Sequence, residues 1–260
     1  MNRQSQRWLL AGLALWTLSP MLMLSLRALT PAWRYPGILP NAIDVWPVIS
    51  TSAGGRVTSS LLTSVVLALV TGPMSAALGF LIAATIVRAR KGLRHLTLAL
   101  ALFAVIAPPI AFGVGLQVAV LALGLGGTLT GVFLAHLVPA TGYLTLFAVG
   151  VFTSFDFSLD DEARTLGASR WQVWSRVIMP IIKGRAAEGA VLGGLVSWGQ
   201  LAITLLIGGG VVRTLPVELL SLVESGNDQL GSLAALWMSI PPLCAIGLLR
   251  VGTTRSGAAL

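Results

Sequence analysis

The charges of this chain are spread so unevenly that its architecture is constrained before any motif is considered. No Lys, Arg, Asp or Glu occurs in residues 8–26, 57–87, 95–155, 189–212 or 229–249, windows of 19, 31, 61, 24 and 21 residues. A helix needs about 20 predominantly apolar residues, each adding 1.5 Å, to cross a hydrocarbon core of about 30 Å. Four of the windows suit one crossing each. The 61-residue window is too long for one, and Gly124, Gly126 and Gly127 followed by Thr128 mark a turn inside it. The sequence therefore predicts an all-α membrane protein, one domain over 1–260, with six transmembrane helices at about 8–26, 59–87, 96–122, 129–153, 188–210 and 230–249. Charged residues make up 10% of the chain, against about 25% in soluble domains, which excludes an ordinary soluble enzyme. The one cysteine, Cys244, excludes an intrachain disulfide and a cysteine zinc site.

Orientation follows from where Lys and Arg fall. With the N-terminus inside, the inner segments hold 13 of the 17: Arg3 and Arg7; Arg88, Arg90, Lys91 and Arg94; Arg164, Arg170, Arg176, Lys183 and Arg185; Arg250 and Arg255. Only Arg27, Arg34, Arg56 and Arg213 fall outside, so both termini are expected in the cytoplasm. The net charge of +8 is then explained by topology and by contact with anionic membrane lipid, and no nucleic-acid partner is required. The first window is longer than a signal-peptide core, and Arg27 stands where cleavage would need small residues, so it is expected to remain as an anchor.

Five spans carry proline: Pro20, Pro73, Pro108 with Pro109, Pro139, and Pro241 with Pro242. Each removes an amide donor and kinks its helix. Pro108 and Pro109 fall near mid-span and precede Gly113, Gly115 and Gln117, a bendable segment with an amide at membrane depth. The fifth span is rich in small residues, and Gly189 and Gly193 have the GxxxG spacing of close helix packing. Ser197, Trp198, Gln200 and Thr204 place polar groups in its middle. Together with Pro108, Pro109, Gln117 and Tyr143 they are candidates for a translocation pathway; plain interhelical hydrogen bonds account for them equally well. His136 is read as structural. No Asp or Glu lies inside a span, Glu188 standing only at the edge of the fifth, so no charged coupling site is evident, and no metal site is expected.

Residues 156–185 form the longest inner segment. Ser158 with Asp161 has the spacing of a capping box, and Asp160, Asp161 and Glu162 fill a first helical turn where acids are favoured. Leu159, Ala163 and Leu166 give one apolar face, and Gly167 supplies a left-handed stop. Ser169 can cap a second helix, with Trp171 and Trp174 suited to the membrane interface, before Pro180 ends or kinks it. Acids at an exposed helix start suit a basic protein groove better than anionic lipid.

This stretch resembles the cytoplasmic motif of binding-protein-dependent ABC transporter permeases, in which an EAA triplet is followed by glycine and, thirteen residues later, by the proline of an I-x-L-P run. Gly167 and Pro180 keep that spacing, Val177, Ile178 and Met179 precede the proline, and Leu166, Gly167, Ala168 and Ser169 resemble the usual LGAS. The triplet here reads Asp161, Glu162, Ala163.

The resemblance implies the type I importer permease (MetI-like) fold, in a bacterial inner membrane, and no cofactor or catalytic residue in this chain. The sequence contains no G-x-x-x-x-G-K-[ST] phosphate loop, so ATP hydrolysis falls to two separate cytoplasmic ABC ATPase subunits. Further implied partners are a second, homologous permease chain and an extracytoplasmic solute-binding protein. Residues 159–167 would be the coupling helix: Asp160, Asp161 and Glu162 pair with basic residues of the ATPase, while Leu159, Ala163 and Leu166 fill its groove. Arg164, Ala168, Ser169 and Pro180 complete the motif. The outer segment 27–56, with Trp33, Tyr35 and Trp46, is expected to rest at the outer interface. With residues 213–228 it would meet the binding protein. Similarity to the polyamine, ferric-ion and thiamine import group is also implied. An ion-coupled secondary carrier and a non-transporting scaffold are the alternatives.

Overall fold

The structure is a computed structural model that describes residues 2–31, 33, 37, 43–46 and 50–256, with side chains to residue 247 apart from Arg3. Tyr35 and Arg34 lie outside the described residues. Every regular element among the described residues is helical: α1 (Arg3–Leu29), α2 (Ser52–Ile86), α3 (Lys91–Ile106), α4 (Pro109–Ala122), α5 (Leu129–Thr153), α6 (Ser158–Thr165), α7 (Arg170–Val173), a π-helical turn (Trp174–Ile178), α8 (Met179–Trp198), α9 (Leu201–Gly208), α10 (Leu215–Glu224) and α11 (Asp228–Ser256). Four of these, α1, α2, α5 and α11, contain apolar stretches long enough to cross a bilayer. Two bent pairs raise the number to six if each pair is one span.

Those pairs correct the expectation of a kinked third span and a continuous fifth. Between α3 and α4 the axis turns by 109°. Proline disfavours helix in the residue before it, and here Ala107 and Pro108 are both extended, at ψ 137° and 125°. Pro109 then starts α4 at a position where the missing amide costs nothing. Between α8 and α9 the turn is 59°, and it falls at Gly199 and Gln200, where no proline signals it. Pro180 neither ends nor kinks a helix. It sits in the first turn of α8, and the preceding π-helical turn opens the ladder where the ring would otherwise meet the carbonyl four residues back.

The chain divides into two compact units, residues 1–63 with 214–243, and 64–213 with 244–260. In the first, Arg56 near the start of α2 pairs at 3.1 Å with Glu218 of α10, whose side chain is 0% exposed. Gln229 donates to the backbone oxygens of Asp44 (2.6 Å) and Ala28 (3.3 Å), and Arg27 meets Asp228 at 3.3 Å. The 213–228 segment thus contains a helix with a fully buried acid.

In the second unit α5 is central and packs against α3, α4, α8 and α9. Thr128 caps it, accepting the Gly131 amide at 3.0 Å. The small residues of α8 do what their spacing implies. Cβ atoms built on Gly189 and Gly193 would fall 2.9 Å from Leu144 Cδ1 and 2.2 Å from Ser75 Oγ, so side chains of α5 and α2 occupy the space these glycines leave on α8, and at Gly193 the Gly72 carbonyl oxygen of α2 also comes within 3.2 Å. At Gly72 the neighbour is rigid, since an added Cβ would lie 2.3 Å from the Ala190 carbonyl oxygen. Gly72→Ala is expected to force α2 and α8 apart at a cost of about 1–3 kcal/mol, lowering the unfolding temperature in detergent. Gly92→Ala, with open space around it, should leave that temperature unchanged.

Candidate functional site

The 156–185 loop is built as its local sequence suggests, with one change at its start. Phe157 rather than Ser158 occupies the N-cap, and Asp156 does the capping: its Oδ1 accepts the Ser158 amide at 2.9 Å. That bond holds the Asp156 carboxyl below its usual range. Its contribution is therefore present above the unfolded value of about 4 and is lost as pH falls below it.

At the other end Gly167 has φ +85°. Its amide bonds to the Arg164 oxygen (3.0 Å) and the Ala168 amide to that of Ala163 (3.1 Å), the paired bonds of a left-handed helix stop. Ser169 then caps α7 in a reciprocal box with Gln172.

The acids of α6 do not all face one way. Glu162 and Asp161 are exposed, but Asp160 is 7% exposed and its carboxylate pairs with Arg88, just past the end of α2. The same guanidinium reaches Asp161 at 3.9 Å and lies 4.4 Å over the Phe157 ring. This corrects the expectation that Asp160 meets a groove on another protein. Arg88 is the residue that sequence reading missed: it stands 72 positions before Asp160, and nothing in either local pattern names the other.

Phe157 in turn stacks on Phe152 of α5 and packs edge-on to Phe155. Beneath them lies an apolar cluster of Phe80, Ala83, Ala148, Phe152, Val173, Ile178 and Ile182, against which Ala163, Ala168 and Trp174 also pack. Ala163 is thus the inward side of the helix. Leu159 and Leu166 point out, Leu166 with 88% of its surface exposed, as are Arg164, Ser169, Trp171 and Pro180.

The intramembrane candidates separate into two groups. Ser197, Trp198 and Thr204 are buried. Both hydroxyls face His136 of α5, Ser197 Oγ at 3.0 Å from Nδ1 and Thr204 Oγ1 at 2.8 Å from Nε2. Gln117 of α4 donates to the Leu206 carbonyl of α9 at 2.8 Å. These are interhelical bonds. Tyr143 and the prolines at the α3–α4 break keep exposed surface, and Gln200 is half-buried at the α8–α9 break. Among the described residues no three metal-ligating side chains converge.

Removing Arg88 leaves Asp160 buried without its counter-charge, a change that costs several kcal/mol at buried pairs. Arg88→Ala is therefore expected to accelerate amide exchange across Ser158–Thr165 by at least about tenfold, since about 1.4 kcal/mol corresponds to each factor of ten. Arg88→Lys should fall between, as an ammonium supplies charge without the planar fork that serves carboxylate and ring together. Exchange unchanged in Arg88→Ala refutes the tie.

Comparison with known proteins gives this geometry a context. A family model described as "binding-protein-dependent transport system inner membrane component" matches residues 75–251. The molybdenum transport system permease protein ModB of Mycobacterium tuberculosis is 28% identical over 218 residues, 78% of this chain and 81% of its own. The spermidine/putrescine transport system permease protein PotC of Haemophilus influenzae is 22% identical over 66% of this chain and 68% of its own. Among solved structures, a chain of a bacterial ABC transporter involved in importing the acidic polysaccharide alginate superposes with a TM-score of 0.67 at 14% identity, covering 96% of both chains.

Proposed function

Because the chain belongs to the family of binding-protein-dependent transport system inner membrane components, and is a multi-pass inner-membrane permease subunit of an ABC importer, we propose that α6 is the element through which separate ATPase subunits drive it. The observation that carries this reading is the division of α6 into two faces. Asp160, Phe157 and Ala163 bind the helix to this chain, while Asp161, Glu162, Leu159 and Leu166 are left exposed. An exposed apolar pair flanked by acids suits a groove with an apolar floor and a basic rim, and water alone would not favour it.

In this reading the chain is one permease domain over 1–260 with six spans in a bacterial inner membrane, and the bias of Lys and Arg supports an orientation with this loop and both termini in the cytoplasm. ATP is hydrolysed by two partner subunits. Closure of those subunits moves α6, and Arg88 shares the displacement between the loop and α2 rather than leaving it to α5 and α8 alone. The capped stop at Gly167 keeps α6 a rigid lever.

A second permease chain completes the pathway, and an extracytoplasmic binding protein delivers solute to the opposite face. A solved alginate ABC transporter whose fold this chain shares (TM-score 0.64, 14% identity) is in complex with its alginate-bound periplasmic protein, which supports that partner. Tyr143, Gln200 and the Pro108–Pro109 break, with their accessible surface, are the pathway residues. Two further relatives are named for solutes of opposite charge, putrescine (PotI, Escherichia coli, 30% identical over 42% of this chain) and sulfate (Chlamydomonas reinhardtii, 26% over 42%). That breadth supports a permease whose solute is selected by the binding protein.

Gly167→Leu forces a branched side chain into a left-handed backbone, at about 1–2 kcal/mol. It is expected to leave membrane insertion intact while reducing solute uptake and ATPase stimulation by the loaded binding protein about tenfold in proteoliposomes. Unchanged stimulation and uptake would refute the coupling role.

A further inference from the structure

The polar group at the α8–α9 break has a directionality that the spacing of its residues conceals. Ser197 belongs to the last turn of α8 and Thr204 to α9, so His136 of α5 holds one hydroxyl from each side of the 59° bend. Thr204 Oγ1 donates its own proton to the Gln200 carbonyl at 2.6 Å, an oxygen that stands at the break. A hydroxyl has one proton to give, so Thr204 can only accept from the imidazole. Nε2 therefore carries the ring proton, Nδ1 is the acceptor, and Ser197 Oγ donates to it. The chain of bonds runs Ser197 to His136 to Thr204 to Gln200, fixed in sense, with every ring nitrogen used and His136 itself 0% exposed.

We propose that His136 is a positioning residue that splints the broken fifth span. It fixes the angle between α8 and α9 so that the two halves move as one body, although the helix between them is interrupted. The apolar contacts of Ile203 and Ile207 with Val132 and Ala135 bring α9 against α5, but such contacts allow sliding, whereas two opposed hydrogen bonds to one planar ring define an orientation. Beyond the splint, Gln117 carries the constraint onward to α4 through the Leu206 carbonyl. A displacement entering at the base of α8 thus reaches α4 by way of α9. That the displacement begins at the loop rests on the coupling function proposed above; the rigidity of the bend does not.

The test uses the importer co-purified with its partner subunits, with Cys244 replaced by Ser and spin labels at the exposed positions Ala187 on α8 and Leu205 on α9. Electron–electron distance distributions are measured nucleotide-free and trapped with ATP and vanadate. The splint predicts one narrow distribution, the same in both states, which broadens in His136→Leu and narrows again in His136→Gln, whose amide offers a donor and an acceptor. A distribution that shifts between states in the parent, or that stays narrow in His136→Leu, overturns it. Should His136→Leu fail to fold, ¹⁵N-histidine spectra give an independent reading, because His95 is the only other histidine and is removed by His95→Gln. Nδ1 of His136 should appear unprotonated and hydrogen-bonded, and Ser197→Ala should shift it toward the free value. A protonated Nδ1, or no shift, overturns the proposal. Failure here with Gly167→Leu still uncoupled would remove the splint and leave the coupling reading standing; the reverse pattern would do the opposite.

Discussion

In hydrocarbon a backbone amide or carbonyl has no water to turn to, and each one left unpaired costs several kcal/mol. An unbroken helix meets this demand internally, so a chain that breaks helices in the middle of its apolar windows must supply substitutes. At the short α9 the substitution is visible group by group. The Leu206 carbonyl takes the Gln117 amide, Ile207 takes the backbone amide of Gly127 at 2.9 Å, and Gly208 takes those of Val211 and Val212. At its other end the Thr204 hydroxyl bonds back to the Gln200 carbonyl four residues earlier. Of the polar side chains in this region, Gln117 is therefore accounted for first as the replacement for a lost helical bond.

The same economy governs the charges. Of the ion pairs among the described residues, the two that involve a buried acid lie at helix ends outside the apolar windows: Arg56 with Glu218 and Arg88 with Asp160. In each, a half-exposed arginine reaches back to a carboxylate held inside the protein. A guanidinium on an apolar stem can do this, because the stem packs while the head stays partly wet. Both pairs join an apolar helix to a short helix of a connecting segment, and so turn what would be loose loops into ordered elements.

Much of this was legible in the sequence because it is encoded over short distances. The turn at Gly124–Gly127, the left-handed Gly167 and the cap at Ser169 each depend on residues within about one helical turn of one another, and the charge-free windows are contiguous runs of sequence. The α3–α4 break was signalled by two prolines, although their spacing states only that the axis bends and not by how much. The α8–α9 break was silent, since Gly199 is also compatible with a continuous packing helix. Asp160 looked like its neighbours Asp161 and Glu162; only the third dimension, through Arg88, turns it inward. Glu218 was hidden for the same reason, as its partner is 162 residues earlier.

Leu159 and Leu166 lie exposed beside a helix otherwise tied down on its inner side. On the proposed orientation they project into the aqueous interior, where a pair of bare leucines favours self-association or capture by chaperones. If the proposed ATPase contact is what covers them, a copy synthesised without that partner would keep this adhesive spot for as long as it stayed single, and balanced synthesis of the subunits would then guard against aggregation as well as permit transport.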